Sequence, residues 1–129
     1  MIQKILIIDD SPIARKMLKS CLPKDKGYEL CEAVDGEEGI RKYQEFAPDL
    51  TFMDLTMPKL DGYQAIDALR KLDKEALIVV VTADIQRESM SRVINAGVFS
   101  VLRKPMKPQL VQEVLVRVDA EQKKRAGGE

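Results

Sequence analysis

Four short apolar runs of the chain end in side chains that could bind a cation or a phosphoryl group. These side chains are Asp9 and Asp10, Asp54, Thr82 and Lys104. Three carboxylates at one place repel one another, and a hard cation among them offsets that repulsion. Oxygen ligands favour Mg²⁺, which takes one or two carboxylates and keeps several waters. The residue types therefore indicate a metal-assisted reaction on the Asp54 carboxylate.

The other side chains of this set suit a phosphoryl group as the reactant. The Lys104 ammonium and the Thr82 hydroxyl supply hydrogen-bond donors for its oxygens. An aspartate such as Asp54 can act as a nucleophile and become an aspartyl-phosphate. The sequence has no P-loop pattern, so we do not expect ATP to bind in that way. The phosphoryl group would come from a partner protein or from a small activated donor.

These side chains can meet only if the runs before them are strands of one sheet. We predict strands at Ile5–Ile8, Tyr28–Val34, Leu50–Asp54, Leu77–Val81 and Phe99–Arg103. A helical apolar stripe follows each strand, so five strands alternate with five helices. This alternation predicts an α/β fold: a parallel sheet with right-handed crossovers and helices on both faces. The carboxyl ends of parallel strands share one edge, where the reactive side chains would converge.

Capping residues indicate where the helices begin and end. Ser11 is a favourable N-cap before Pro12, which suits the first helical position. Asp35 and Asp61 also precede helical stripes, and an N-cap is the favoured interpretation for both. For Asp61 the alternative is a fourth acidic ligand at the metal site. Gly97 is predicted to follow the end of the fourth helix.

Length and composition limit the class of protein. The 129 residues suit one domain, which we expect to cover residues 1–121 and to be followed by a polar, disordered tail at residues 122–129. The formal net charge is zero, which argues against binding to nucleic acid or to an anionic membrane. No apolar run approaches the roughly 20 residues needed to span a bilayer.

Two residue types exclude further classes of site. The chain has no histidine, so histidine acid–base catalysis, serine-type triads and histidine-ligated zinc are excluded. Its two cysteines, Cys21 and Cys31, are not spaced as a metal-binding pair. We expect both to be reduced thiols in a cytoplasmic protein.

The chain resembles the CheY-like receiver domains of bacterial two-component response regulators. The resemblance covers about residues 3–119 and implies a flavodoxin-like fold with strand order 2-1-3-4-5, as a stand-alone receiver. The matching stretches are Ile5-Leu-Ile-Ile-Asp-Asp-Ser-Pro12, Asp54-Leu-Thr-Met-Pro-Lys-Leu-Asp-Gly62, Val79-Val-Val-Thr-Ala83, Ala96-Gly97 and Lys104-Pro105.

The resemblance assigns a metal site for Mg²⁺, with Mn²⁺ as a possible substitute. Asp54 would be the phosphoacceptor and would also contact the metal ion. Asp10 would bind the ion directly, and Asp9 mainly through water. The backbone carbonyl of Thr56 would complete the protein ligands, and Thr56 would also lie near the phosphoryl group.

The resemblance also assigns the residues that bind the phosphoryl group. The Thr82 hydroxyl and the Ala83 backbone amide would donate hydrogen bonds to it, and Lys104 would form a charge pair with it. The Lys104–Pro105 bond would be cis, as it usually is in this family. Asp84, close to the phosphoryl group, is hypothesised to help orient a water molecule for hydrolysis.

The chain departs from the family at Val101. The family usually has a tyrosine or phenylalanine at this position, which moves inward when the active-site threonine moves. Valine cannot make that movement. Phe99, two residues earlier and therefore expected on the same strand face, is the candidate substitute.

The function implied by the resemblance is that of a two-component response regulator. A sensor histidine kinase or a histidine phosphotransfer protein would phosphorylate Asp54. The modified domain would bind a downstream protein through its fourth helix, fifth strand and fifth helix. Its only catalysis would be its own phosphorylation and dephosphorylation. A role in chemotaxis and a role in a phosphorelay both stay open, as do a monomer and a phosphorylation-dependent dimer.

Two other classes of function are alternatives. One is a receiver-like interaction module that works without phosphorylation, which the Val101 departure keeps open. The other is a Mg²⁺-dependent phosphohydrolase that forms an aspartyl-phosphate. Such enzymes usually carry a second aspartate two residues after the nucleophile, where this chain has Thr56.

Overall fold

Five parallel strands form one sheet in the computed structural model, which describes residues 1–57, 60–83 and 86–127. The strands are β1 (Lys4–Ile8), β2 (Glu29–Ala33), β3 (Leu50–Asp54), β4 (Ile78–Thr82) and β5 (Ser100–Arg103). Their order in the sheet is β2-β1-β3-β4-β5. The predicted fold class is confirmed, with strand bounds that differ from the predicted ones by one residue at most at each end.

A helix follows each strand. The helices are α1 (Pro12–Cys21), α2 (Gly36–Phe46), α3 (Gly62–Leu72), α4 (Arg87–Asn95) and α5 (Pro108–Gly127). A short 3₁₀ helix at Lys24–Lys26, which the sequence analysis did not predict, precedes β2. Among the described residues, no helix has the length and apolar character needed to cross a membrane.

Helix α5 continues through residues 122–127, where a disordered tail was predicted. The extra turns are stabilised by an ion pair between Arg125 and Glu121, four residues apart, at 2.9 Å. Arg125 also donates a hydrogen bond to the Glu75 carbonyl at 2.8 Å, which holds the end of the helix against the chain before β4. The domain boundary at residue 121 stays a prediction.

The predicted helix caps are present. The side chains of Ser11, Asp35 and Asp61 each accept a hydrogen bond from the amide three residues later, at 3.1, 2.8 and 3.0 Å. Asp61 is therefore an N-cap, as favoured above. The motif at Asp35 differs from a capping box, since Glu38 accepts its bond from the Val34 amide at 2.8 Å.

Helices cover both faces of the sheet, which explains the nearly continuous apolar runs in its central strands. Ile5 and Ile7 of β1 pack with α1 and α5, whereas Leu6 and Ile8 pack with α2, α3 and α4. Every residue of β3 and of β4 is buried. Strands covered on both faces need apolar side chains in both directions, and the buried carboxylate of β3, Asp54, stands at the end of its strand.

Strand register brings the reactive residues together at the carboxyl edge of the sheet. The register of β1 with β3 puts Asp9 beside Asp54, because the residues immediately before them are aligned. The register of β4 with β5 aligns Thr82 with the residue before Lys104. The Lys104 amide then donates to the Thr82 carbonyl at 2.9 Å.

Helix α3 begins directly against the end of β3, and only glycine fits at that point. The Gly62 amide donates to the Leu55 carbonyl at 3.0 Å. A methyl group on Gly62 would overlap the Asp54 carbonyl oxygen and would lie 2.5 Å from the Leu55 Cα. Because both contacts are with backbone, a larger residue could fit only if the helix or the strand end moved.

We expect Gly62→Ala to lower the free energy of unfolding by about 1–3 kcal/mol, the usual cost of overpacking a well-packed site. Urea denaturation measures the change. Gly127→Ala is the matched control, because the same methyl group on a residue of α5 meets no atom within 4 Å. A Gly62→Ala variant as stable as this control would contradict the close packing of α3 on β3.

Candidate functional site

Three carboxylates form an acidic cluster at the carboxyl edge of the sheet. One oxygen each from Asp9, Asp10 and Asp54 lies within 4.8 Å of the other two. Asp9 and Asp54 are buried, with 5% and 6% of their surfaces exposed, whereas Asp10 is exposed. The predicted convergence of these residues is confirmed.

Lys104 bridges two members of the acidic cluster. Its Nζ lies 3.0 Å from Asp9 Oδ2 and 3.2 Å from Asp54 Oδ1. The Lys104–Pro105 peptide bond is cis, as the family resemblance implied. The lysine thus supplies one positive charge against three negative charges.

The electrostatics of the cluster follow from burial and crowding. Burial and the neighbouring Asp9 carboxylate raise the pKa of Asp54 to about 6, although Lys104 acts in the opposite direction. Burial on its own would lower the pKa of Lys104, but the hydrogen bond to Asp9 and the two carboxylate charges raise it. The cluster therefore keeps an excess of negative charge that a cation would neutralise.

The donor set of the cluster fits Mg²⁺. It offers carboxylate oxygens, which hard cations prefer, and no sulfur or imidazole group. Asp10 is exposed, so the cluster is open on one side to water and to a phosphoryl group. A magnesium ion held by few protein ligands needs such access, because it keeps several waters.

Arg15 and Glu32 are linked to the backbone of the acidic cluster by hydrogen bonds, and neither residue was predicted from the sequence. Arg15 donates to the Asp9 carbonyl at 2.7 Å and to Glu32 at 2.8 Å. Hydrogen bonds from Lys19 and Arg15 lower the pKa of Glu32, although partial burial opposes them. The position of Arg15, four residues after the N-cap Ser11, allows it to reach back over the helix start. The sequence alone does not distinguish it from other basic residues of α1.

The remaining predicted site residues lie around the cluster. Thr82 is buried at the end of β4, and Ala83 follows it at an exposed position. Thr56 is exposed and follows Asp54, the last residue of β3, by two residues in the chain. Asp84 lies outside the described residues.

The proposed substitution of Phe99 for the missing aromatic residue is wrong. Val101 packs with the side chains under α2, α3 and α4, whereas Phe99 packs on the opposite face of the sheet with α1 and α5. The Arg117 guanidinium lies 5.2 Å from the centre of the Phe99 ring. Phe99 precedes the first residue of β5, so the alternation that holds within a strand does not apply to it.

A cavity of about 420 Å³ opens beside the acidic cluster, between α1 and the segment after β5. Asp54 and Lys104 line its polar end. Ile13 and Met17 of α1 line its apolar part and are 73% and 41% exposed. An apolar surface therefore adjoins the reactive carboxylate.

We expect Asp54→Asn to stabilise the protein at neutral pH in the absence of divalent cations. The folded protein binds a proton at Asp54 more tightly than the unfolded chain, because the pKa is about 6 instead of 3.8. The free energy of unfolding of the wild type therefore falls by about 3 kcal/mol in total as the pH rises from below the lower of these pKa values to above the higher one. Asparagine removes this loss.

Urea denaturation in EDTA at pH 4 and pH 7 measures the effect. The difference between Asp54→Asn and the wild type isolates the one carboxyl group, and we expect it to grow by about 2–3 kcal/mol between the two pH values. Saturating Mg²⁺ should reduce it, because the ion stabilises the complete cluster. An equal difference at both pH values would mean that Lys104 already balances the charge of Asp54.

The family models and the sequences of known proteins that match this chain agree with one another. A family model of the response regulator receiver domain matches residues 5–116. The chain is 40% identical over 117 residues to a chemotaxis protein CheY of Thermotoga maritima, covering 90% of this chain and 97% of that protein. It is 35% identical over 115 residues to the CheY of Bacillus subtilis, covering 89% and 96%.

Solved structures agree with the sequence matches. A CheX–CheY–BeF₃–Mg²⁺ complex from Borrelia burgdorferi contains a chain with a TM-score of 0.84 and 27% identity, over 90% of this chain and 88% of that one. The fold, the acidic cluster and these matches lead to one conclusion: the chain belongs to the response regulator receiver domain family of two-component signalling systems.

Proposed function

We propose that this receiver domain accepts a phosphoryl group on Asp54 in a Mg²⁺-dependent reaction. The observation that supports this most directly is the position of Asp54, which is buried within 4.8 Å of two other carboxylates and is paired with Lys104. Burial and the neighbouring carboxylates raise the free energy of the ionised Asp54 side chain. A bound cation or the attachment of a phosphoryl group would offset this increase.

In the proposed reaction an oxygen of Asp54 attacks phosphorus. A new P–O bond forms while the bond from phosphorus to the leaving group breaks, and the leaving group takes the electron pair. A histidine leaving group also takes a proton from the solvent, whereas acetate leaves as the anion. When bound, Mg²⁺ would neutralise charge on the phosphoryl oxygens. Asp9, Asp10, Asp54 and the Thr56 carbonyl would hold the ion. The chain itself contributes positioning and charge.

The groups around Asp54 would bind the transferred phosphoryl group. Lys104 would exchange its contact with the Asp54 carboxylate for one with a phosphoryl oxygen, a charge-assisted hydrogen bond. The Thr82 hydroxyl and the Ala83 amide would donate the other hydrogen bonds. Thr82 would move toward Asp54, and its backbone bond to Lys104 would couple that movement to β5.

The donor would be a protein that carries phosphohistidine, namely a sensor histidine kinase or a histidine phosphotransfer protein. The apolar side chains Ile13 and Met17 beside the reactive carboxylate support a protein donor, since exposed apolar surface next to a site is typical of an interface. The two unpaired cysteines suit a cytoplasmic partner of this kind.

The output would be a changed surface on α4, β5 and α5 that binds a downstream protein. Chemotaxis is the favoured pathway, because the CheY proteins named above match this chain over nearly its whole length. The Borrelia CheY was crystallised with CheX. We propose that a protein of comparable role receives the signal from this domain.

The first test is intact-protein mass spectrometry after incubation with acetyl phosphate and Mg²⁺. We expect a gain of one phosphoryl group, carried by Asp54 at the end of β3 beside Lys104. Asp54→Asn and omission of Mg²⁺ should both abolish the gain. A folded protein that binds Mg²⁺ yet gains no mass would contradict the proposal and favour an interaction module that works without phosphorylation.

A second test separates the protein donor from small donors. We expect Ile13→Ser to slow phosphoryl transfer from a phosphorylated histidine phosphotransfer domain about tenfold, the effect of losing roughly 1.4 kcal/mol of apolar contact. Transfer from acetyl phosphate should change less than twofold. Ile94→Ser is the matched control, because Ile94 is similarly exposed on α4. Equal transfer to both variants would rule out docking at the α1 cavity.

A further inference from the structure

Arg15 connects the edge strand of the sheet to the backbone of the acidic pair. Its Nε donates to Glu32 Oε1 at 2.8 Å, and its Nη1 donates to the Asp9 carbonyl oxygen at 2.7 Å. The side chain is 14% exposed. The second carboxylate oxygen of Glu32 is held by Lys19 Nζ at 2.8 Å, so Glu32 is itself fixed. The guanidinium therefore has a partner on each side, the Glu32 carboxylate and the Asp9 carbonyl.

The bond from Arg15 completes the fixation of Asp9. The Asp9 amide donates to the Ala33 carbonyl at 3.0 Å, which continues the β1–β2 ladder by one residue. Its carboxylate accepts a bond from the Ser11 amide at 2.9 Å and pairs with Lys104. Its carbonyl accepts the bond from Arg15. Each polar group of Asp9 thus has a partner, and the partner of the carbonyl is a charged side chain.

The Asp9 carbonyl belongs to the peptide group that carries Asp10. Rotation of this peptide plane would move the Asp10 carboxylate relative to the other two. Asp10 is exposed, so packing does not fix its side chain and its backbone sets the range of positions that its carboxylate can reach. A bond that holds the peptide plane therefore also holds the spacing of the three carboxylates.

We propose that Arg15 is a positioning residue for the magnesium site: by fixing the Asp9–Asp10 peptide, it sets the geometry in which Asp10 binds the ion. This inference rests on the proposed function of the acidic cluster. It assigns to Arg15 and its anchor Glu32 a role in metal affinity, although neither residue contacts the ion. Residues that orient metal ligands typically change affinity by about 10–100-fold when they are lost.

The role requires arginine and not merely a positive charge. The planar guanidinium makes two bonds in fixed directions, one to Glu32 and one to the Asp9 carbonyl. A lysine would keep the charge, but its single ammonium on a flexible chain cannot reproduce both bonds in that geometry. Arg15→Lys therefore separates orientation of the peptide from the electrostatic effect of the charge.

The experiment measures Mg²⁺ affinity in the whole protein by isothermal titration calorimetry. We expect Arg15→Lys to bind Mg²⁺ about tenfold more weakly than the wild type. The matched control is Arg41→Lys, since Arg41 is 58% exposed and its pair with Glu38 is long, at 3.6 Å. The control should bind Mg²⁺ as the wild type does. Thermal unfolding in EDTA reports any structural damage for both variants.

A second measurement identifies a positioning role. The Mg²⁺ concentration that gives half-maximal phosphorylation by acetyl phosphate should rise about tenfold in Arg15→Lys, whereas the rate at saturating Mg²⁺ should stay within twofold of the wild type. If Arg15 only stabilised the fold, the unfolding temperature would fall and the Mg²⁺ affinity would not change. That result would overturn the inference.

Glu32→Ala keeps the inference testable if Arg15→Lys does not fold. Removing the anchor should release Arg15 and weaken Mg²⁺ binding in the same direction, and Mg²⁺ binding equal to the wild type would overturn the inference. Failure of this inference and failure of the proposed function give different results. A wild type that binds no Mg²⁺ would contradict both, whereas a wild type that binds Mg²⁺ and is phosphorylated, with variants of equal affinity, would contradict only the role of Arg15.

Discussion

Mutual repulsion among Asp9, Asp10 and Asp54 is the constraint on which the site depends. The three carboxylates are held within 4.8 Å of one another because the strands that end in two of them are neighbours in the sheet. Apolar packing on both faces of β3 and β4 supplies the favourable free energy that opposes this repulsion. Lys104 offsets only part of the charge. The domain therefore folds around a cluster that keeps an excess of negative charge.

Sequence analysis could predict the parts of the fold and site that depend on local pattern. Asp54 and Thr82 can be recognised in the sequence because each is a polar residue at the end of an apolar run. Asp61 was correctly interpreted as a cap, because its position before a helical stripe is a local signal. The edge at which these residues meet followed from the parallel arrangement alone.

The parts that could not be predicted depend on contacts between distant segments. Arg15 looks like any basic residue of an amphipathic helix until β2 brings Glu32 beside it. Gly62 is an ordinary turn residue in the sequence, and its close packing on β3 appears only in three dimensions. Phe99 was assigned to the wrong face because alternation was extended one residue beyond the strand. In each case the deciding contact lies far away in the chain or at the boundary of an element.

The close packing of α3 on β3 at Gly62 makes the two sides of the site different. On the α3 side, the backbone of Gly62 lies so close to the backbone of Asp54 and Leu55 that no room is left for a methyl group. On the β4–β5 side, the Lys104 amide extends the β4–β5 ladder with a bond to the Thr82 carbonyl, and β5 carries the small, partly buried Val101. The two sides of Asp54 therefore differ in kind: main chain limits the space toward α3, whereas side chains and the β4–β5 ladder limit it toward β5.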